Sequence, residues 1–322
     1  MKINSKDISV IVQGKIYDIY TKKCITSIKE FLPHAEIILS TWEYENVDGL
    51  DCDLILFNKD IGAGSTDSLG IVNNLNRQIV SSRNGIKKAN RKYILKIRSD
   101  MYLINNKFLF NYSQYALGAT IFKQRILVCD YYTRNPRVIP MPFCISDWIF
   151  FGLKEDVQDV FIKIPLQSVQ EDMWFLTHKN NNRFFKSILT RYAQEQHITI
   201  NYFKKYINIK CADYGNNSKK NILLTEQILA KNYIVIDSLK NGFFFPKYSP
   251  DRFKEKMSII TFSDWLELNA HYCKNKKLTI YKAKCCLRKI IYFYIRRSIN
   301  NMLEKTRLKN EIRKYITNKN RI

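Results

Sequence analysis

The chain has 322 residues, 46% hydrophobic and 13% aromatic, with 10 Gly and 7 Pro. That is enough apolar material for one large domain or a domain with an appendage, and it excludes collagen-like, low-complexity and disordered classes. The net charge is +24, but +14 of it follows residue 273, where sixteen Lys/Arg accompany two acids, Glu304 and Glu311; the basic character is largely that of a tail.

Ile8–Val12 is a compact apolar run ending in Gln13-Gly14. It predicts a buried first strand whose tip needs close backbone approach. Tyr17–Phe31 has helical spacing in Ile19, Cys24, Ile25, Ile28 and Phe31, and Pro33 marks its end. Glu36–Leu39 predicts a second buried strand, and Asp53–Phe57 a third. Asn73–Ala89 reads as a helix on Leu75, Ile79 and Ile86, with Gly85 weakening its last turn. Lys92–Ile97 predicts a fourth strand, ending in Arg98-Ser-Asp100. This alternation predicts an α/β fold with a mostly parallel sheet between covering helices.

Beyond Asp100 the pattern changes. Short β-like runs stand at Ala119–Phe122, Arg125–Cys129 and Cys144–Phe151. Helical stretches are expected around Val157–Ile162, Glu171–His178, Ala193–Lys205 and Ile222–Ala230, a strand at Tyr233–Asp237, and loop positions at Ser249–Asp251 and Asn275. Met1–Asp7 is polar and Ile8–Val12 is too short for a secretory signal. The eight cysteines form no CxxC pair, so free thiols in a reducing cytosol are expected. His34, His178, His197 and His271 are isolated, which argues against zinc. No GxxxxGK[ST] loop or GxGxxG fingerprint occurs, which lowers NTPase and dehydrogenase readings.

Parallel sheets bind ligands at the carboxyl ends of their strands. The four predicted strands end in Gln13, Glu43, Asp60 and Asp100, which together suggest a functional rim. Asp100 stands where a metal-binding acid is expected. Arg77, on the preceding helix, has a fork suited to phosphate. Asn76 and Gln78 flank it and cannot both face the site with it, Gln78 being the weaker candidate. Gln13 beside Gly14 suits a base edge, Glu43 and Asp60 suit ribose or base, and Trp42 suits packing.

Ile8–Gly14, Ile38–Glu43, Asn76–Ser82, Leu95–Asp100, Ile145–Gly152 and Arg191–Gln196 resemble, in the same order, segments of the WavE family of surface-polysaccharide synthesis. The resemblance covers roughly residues 8–200. It implies a GT-A-like, Rossmann-type transferase moving sugar from a nucleotide-diphospho-sugar donor to a lipid-linked saccharide acceptor of lipopolysaccharide or capsule. Donor-site candidates are then Gln13, Gly14, Glu43, Asp60, Asn76, Arg77 and Arg98, with Asp100 as ligand to Mn²⁺ or Mg²⁺. Enzymes of that fold usually carry Asp-x-Asp there; Arg98-Ser99-Asp100 keeps only the last acid, and Arg98 stands either to neutralise phosphate or to pair with Asp100.

Glu195 and Asp147 are the candidate bases for an inverting transfer, Glu195 first. Glu171-Asp172 is a rival ranked below, because Gln170–Thr177 reads as an ordinary amphipathic helix with Met173, Trp174 and Leu176 inward. Glu195 follows the polar stretch Lys179–Arg183, where an acceptor is expected to approach. The expected organisation is one transferase domain over residues 1–245, with a donor half to about 105 and an acceptor half after it, and a basic helical extension over 246–322. Tyr281–Leu303 interleaves Lys/Arg with apolar residues. It suits an anionic membrane surface better than nucleic acid, given the lipid-linked acceptor. The expected location is cytoplasmic, peripheral at the inner face of the membrane. A nucleotidyltransferase and a nucleic-acid-binding protein are the alternatives.

Overall fold

The computed structural model describes residues 3–181, 185–247 and 257–305. The expected turn at Ser249–Asp251, part of Lys179–Arg183 and the last residues of the basic tail lie outside the described residues. In chain order the strands are β1 (Ile8–Gln13), β2 (Glu36–Trp42), β3 (Leu54–Asn58), β4 (Tyr93–Arg98), β5 (Tyr102–Leu103), β6 (Ile126–Cys129), β7 (Phe150–Leu153), β8 (Tyr233–Ile236) and β9 (Phe243–Phe244). The helices are α1 (Asp18–Phe31), α2 (Leu75–Lys88), α3 (Phe108–Tyr115), α4 (Lys154–Lys163), α5 (Val169–Asp172), α6 (Trp174–Thr177), α7 (Gln194–Phe203), α8 (Lys219–Asn232), α9 (Phe262–Lys274) and α10 (Thr279–Lys305).

Seven strands form one sheet in the order β3-β2-β1-β4-β7-β6-β8. β3, β2, β1 and β4 run parallel, β7 is antiparallel to β4 and β6, and β8 is parallel to β6. This is the expected mostly parallel α/β sheet flanked by helices. β5 and β9 make a separate two-stranded ribbon. β1, β4 and β6 are almost wholly buried and read as apolar runs, as strands covered on both faces do.

The expectation of a third buried strand is corrected. β3 is the sheet edge and only half-covered, with Phe57 54% exposed. Its apolar composition resembles a central strand, but it has a neighbour on one side only.

Ala119–Phe122 is not a strand. Thr120 and Ile121 donate their N–H groups to Asn232 Oδ1, and Lys123 and Gln124 donate theirs to the Asp156 carboxylate. Side chains thus take the bonds a strand would make. Of Cys144–Phe151 only the end is strand; Phe143 N donates to Thr225 Oγ1 and Ser146 N to Thr133 Oγ1. Glu171–His178 is two single turns broken at Met173, and Leu176 is 64% exposed rather than inward. Phe175 is the inward residue, edge-on to Tyr214 at 5.3 Å.

The last helices pack on the sheet domain. Trp265 of α9 is fully buried, and its Nε1 donates to Leu229 O and Tyr233 O at 3.2 and 2.7 Å. Arg288 of α10 clasps Asp264 through both terminal nitrogens. Tyr281, Cys285 and Tyr292 form the buried face of α10. Asn275, an expected loop position, ends α9 in the left-handed conformation at φ 52°.

Gly85 has a packing reason. A Cβ there would stand 2.5 Å from Ile11 Cγ2 and 3.1 Å from Ser40 Cβ, so the missing side chain lets α2 lie against β1 and β2. Helix propensity alone makes Gly→Ala stabilising by about 1 kcal/mol. Overpacking a rigid core costs about 1–3 kcal/mol. Gly85→Ala is therefore expected to lower the urea midpoint of unfolding; a raised midpoint would show that the α2–sheet contact yields.

Candidate functional site

Register sets the site. β1 lies between β2 and β4, with Gln13 opposite Ser40 on one side and Arg98 on the other. The chain goes from β1 outward to β2 and β3, then returns to β4 on the opposite flank. The β1/β4 boundary is thus a topological switch point, the place where sheets of this kind bind ligands in a crevice at their strand ends. Gln13-Gly14-Lys15 and Arg98-Ser99-Asp100 border it. Gly14 has φ +115°, a region closed to most side chains, and its N–H bonds Ser40 O at 3.0 Å. Ser99 N donates to Gln13 O at 3.1 Å and Ser99 Oγ to Lys15 O at 2.5 Å, tying the two loops together.

Arg98 ends β4 and turns back on Asp100. Its Nε and Nη2 donate to Asp100 Oδ1 and Oδ2 at 2.8 and 2.7 Å. Lys247 Nζ stands 3.4 Å from Asp100 Oδ2 and 3.3 Å from the centre of the Tyr17 ring. Burial works to raise the Asp100 carboxyl pKa, but the two cations outweigh it and hold it below the ordinary value. The guanidinium also lies over Trp148, 4.5 Å from the ring centre. Trp148 meets Tyr132 at a tilt, ring centres 5.2 Å apart, and Arg134 covers Tyr132 at 4.7 Å, so cations close both ends of an aromatic pair. Tyr132 has φ +60° and Phe143 φ +61°, strained values for such residues that bracket the loop between β6 and β7.

Two acids lie behind this stack. Asp147 is 1% exposed and Glu195 8%. Lys96, fully buried two residues before Arg98 on β4, donates from Nζ to the Asp147 carbonyl. Burial pushes the Lys96 ammonium down to about 8 despite nearby Asp147. Burial raises the Asp147 carboxyl, opposed by Lys96. Burial and then the Asp147 charge push Glu195 up to about 8, against the pull of Arg134 and Arg98. The Gln78 amide faces the Asp147 carboxyl and works to lower its pKa, but the contact is too loose to satisfy Gln78 Nε2 or Asp147 Oδ2 fully. Native interiors rarely leave such atoms unpaired unless water or a ligand meets them.

The sequence candidates do not all meet at one place. Gln13, Gly14, Arg98 and Asp100 border the crevice, whereas Asp147 and Glu195 are buried, with the Arg98 charge working to lower the pKa of each. Arg77 and Asp60 instead satisfy each other at the far side of α2. Arg77 Nε and Nη2 donate to Asp60 at 2.8 and 2.5 Å, Tyr44 and Gly62 add bonds, and Asp60 is held at about 2, chiefly by Arg77. Asn76 grips the backbone of Gln167 in both directions, at 2.9 and 2.7 Å. Glu43 is exposed on the rim beside Asn58, and Trp42 is packed in the core. α2 turns Gln78, not Asn76, toward the acid pair. Asp172 anchors Ser65 and Asn73, and Glu171 meets Arg191, so that rival pair holds loops.

Lys96, Arg134, Trp148, Lys247 and Lys15 were not singled out by sequence reasoning. A lysine inside an apolar strand was the available signal for Lys96; Lys247 lies far along the chain and gave none. The residues around Asp100 do not fit a divalent cation. Both carboxylate oxygens already meet Arg98 or Lys247, and no cluster of three His, Cys, Asp or Glu capable of holding a metal occurs among the described residues.

The acid pair has a consequence for stability. The folded Glu195 binds its proton near pH 8, the unfolded side chain near its ordinary 4.5. Across that window the folded state holds more protons, so stability falls as pH rises. Glu195→Gln removes this loss. Its melting temperature is expected to gain on wild type progressively from pH 5 to pH 8, and a constant gap in calorimetry would mean that Glu195 ionises normally.

A search of curated proteins returns no match to the chain. The profile of a family described as WavE lipopolysaccharide synthesis matches residues 8–306, running past the span read from sequence to include α9 and α10. With that match over most of its length, the chain belongs to the WavE lipopolysaccharide synthesis family.

Proposed function

We propose that the protein is an inverting glycosyltransferase that moves a sugar from a nucleotide-diphospho-sugar to a lipid-linked saccharide of lipopolysaccharide or capsule. One observation carries the reading: cations gather on Asp100 at the strand-end switch point, and a buried pair of carboxyls, Asp147 and Glu195, lies within the influence of the same Arg98 charge. The donor's charge sits on its diphosphate, which suits the crevice. In the transfer, the bond between the anomeric carbon and the diphosphate oxygen breaks. The acceptor oxygen forms the new bond to that carbon, and its proton passes to Glu195. Glu195 is preferred over Asp147 because it is less buried and because the Asp147 charge strengthens it as a base. Residues 1–105 then supply most of the donor side and 106–245 the acceptor side, with 246–322 as an extension whose first residues return Lys247 to the donor side.

A thermal-shift screen of nucleotide-diphospho-sugars tests the donor class, since a ligand bound only by the folded state raises its melting temperature. Glu195→Gln is expected to keep the donor shift while transfer falls by about 10²–10⁴. The acid limb of kcat/KM should lie well above the ordinary carboxylate range and move down in Asp147→Asn. Normal transfer by Glu195→Gln removes it as the base.

The extension supports a place at a membrane surface. No helix among the described residues is long and apolar enough to cross a membrane. α10 buries Tyr281, Cys285 and Tyr292 and leaves Ile280, Leu287, Ile290 and Tyr294 exposed. Their spacing of three, four or seven residues puts them on the opposite helix face, bordered by Lys282 and Lys289. An apolar stripe with a basic flank suits an anionic lipid surface. The whole chain is expected to sediment with phosphatidylglycerol vesicles and not with phosphatidylcholine vesicles, and Leu287→Glu with Ile290→Glu to lose that binding. Equal sedimentation of the double variant, or preference for duplex DNA, overturns this placement.

A further inference from the structure

We propose that Lys247, Lys15 and Arg98 hold the donor's diphosphate directly, so that this crevice works without a divalent cation. The inference rests on the donor-site reading above and deepens it. It starts from the mismatch at Asp100. A metal needs oxygen ligands with room to reach it, whereas each Asp100 oxygen is occupied by a cationic group. The position two residues before Asp100, where a second acid would serve a metal, is Arg98.

The cations are placed for the task. Lys247 follows β9 and reaches back over the β1–α1 turn, its side chain 27% exposed, with Nζ seated on the Tyr17 ring. Lys15 approaches the same ring from the β1 side at 5.8 Å. The backbone of Lys15 is fixed by Ser99, next to Arg98. Both lysines therefore border one aromatic ring at the mouth of the switch-point crevice. Arg98 and Lys247 bring two positive charges against the single negative charge of Asp100, and Lys15 adds a third at the Tyr17 ring that Lys247 also covers. The surplus of two matches the two charges of a nucleotide-sugar diphosphate. Those charges must be neutralised more strongly as the diphosphate leaves, which fixed cations can do. Asp100 is then a positioning residue that keeps Arg98 and Lys247 together before the donor arrives.

The test uses inorganic pyrophosphate as probe, titrated calorimetrically into the whole protein in EDTA and, separately, with Mn²⁺. Binding is expected in EDTA, with little gain from Mn²⁺. Lys247→Met should weaken it roughly tenfold or more, Lys15→Met should also weaken it, and Lys247→Arg should retain most of it. Unchanged melting curves establish that the variants fold. Pyrophosphate that binds only with Mn²⁺ overturns the inference and leaves the donor-site reading standing. Unchanged affinity in Lys247→Met also overturns it. Absence of binding in both conditions overturns the inference together with the reading of the crevice as a diphosphate site.

Discussion

The ion pair between Arg98 and Asp100 is the constraint on which the rest of the site depends. It forms at the last residue of β4, where the sheet reverses direction, so its position is set by strand register rather than by loop choice. The same guanidinium covers Trp148, and through Trp148 the loop between β6 and β7 is brought over the crevice. Its charge also acts on Asp147 and Glu195. Removing one partner of a buried pair leaves the other uncompensated, a cost of about 3–5 kcal/mol in general. Here the loss would also release the aromatic wall and change the balance between the acids.

Behind the pair, charge is buried at a density that hydrophobic packing would not choose. Lys96 is wholly enclosed in a central strand, and Asp147 is enclosed opposite it. Burial disfavours ionisation of both, and the Lys96 bond to the Asp147 carbonyl supplies only part of the compensation. A folded core tolerates such a group where its chemistry is needed or where a ligand completes its bonding. Tyr132 and Phe143 carry comparable backbone strain at the two sides of the same loop. Unfavourable charge and unfavourable backbone thus coincide around one crevice, while the sheet below it is ordinary apolar packing.

Much of the first hundred residues was legible in sequence. β1, β2 and β4 are covered by neighbours on both sides, and α1 and α2 have a clear helical period, so local pattern and tertiary environment agree. β3 has the same composition but lies at an edge, a difference that pairing decides and composition does not. The strand ends Gln13 and Asp100 could be read as a rim because topology places strand ends together. The partners of individual side chains could not. Arg77 turns to Asp60, Asn76 to Gln167 and Gln78 to Asp147, and nothing in three adjacent polar letters separates these fates. The irregular stretch 130–149 was least legible, because its backbone bonds go to Thr133, Thr225 and Ser258 side chains or carbonyls distant in sequence. Lys247 reaches Asp100 only because β9 pairs with β5.

The stack around Trp148 gives the molecule an optical handle on its own crevice. The indole has a guanidinium over one ring face and lies within 5–6 Å of Tyr131, Tyr132 and Phe245. Indole emission responds to a neighbouring charge, so a ligand that draws Arg98 away changes the colour and intensity of Trp148 fluorescence. The chain has four tryptophans, and the others stand in different settings: Trp42 is packed at the end of β2, Trp174 is stacked on His178, and Trp265 is locked inside the junction of α8 and α9. Substituting Trp174 and Trp42 by Phe would leave one emitter at the crevice and one at the helical junction. Occupancy of the crevice and opening of the junction would then be followed as separate signals in a single cuvette, without any attached dye.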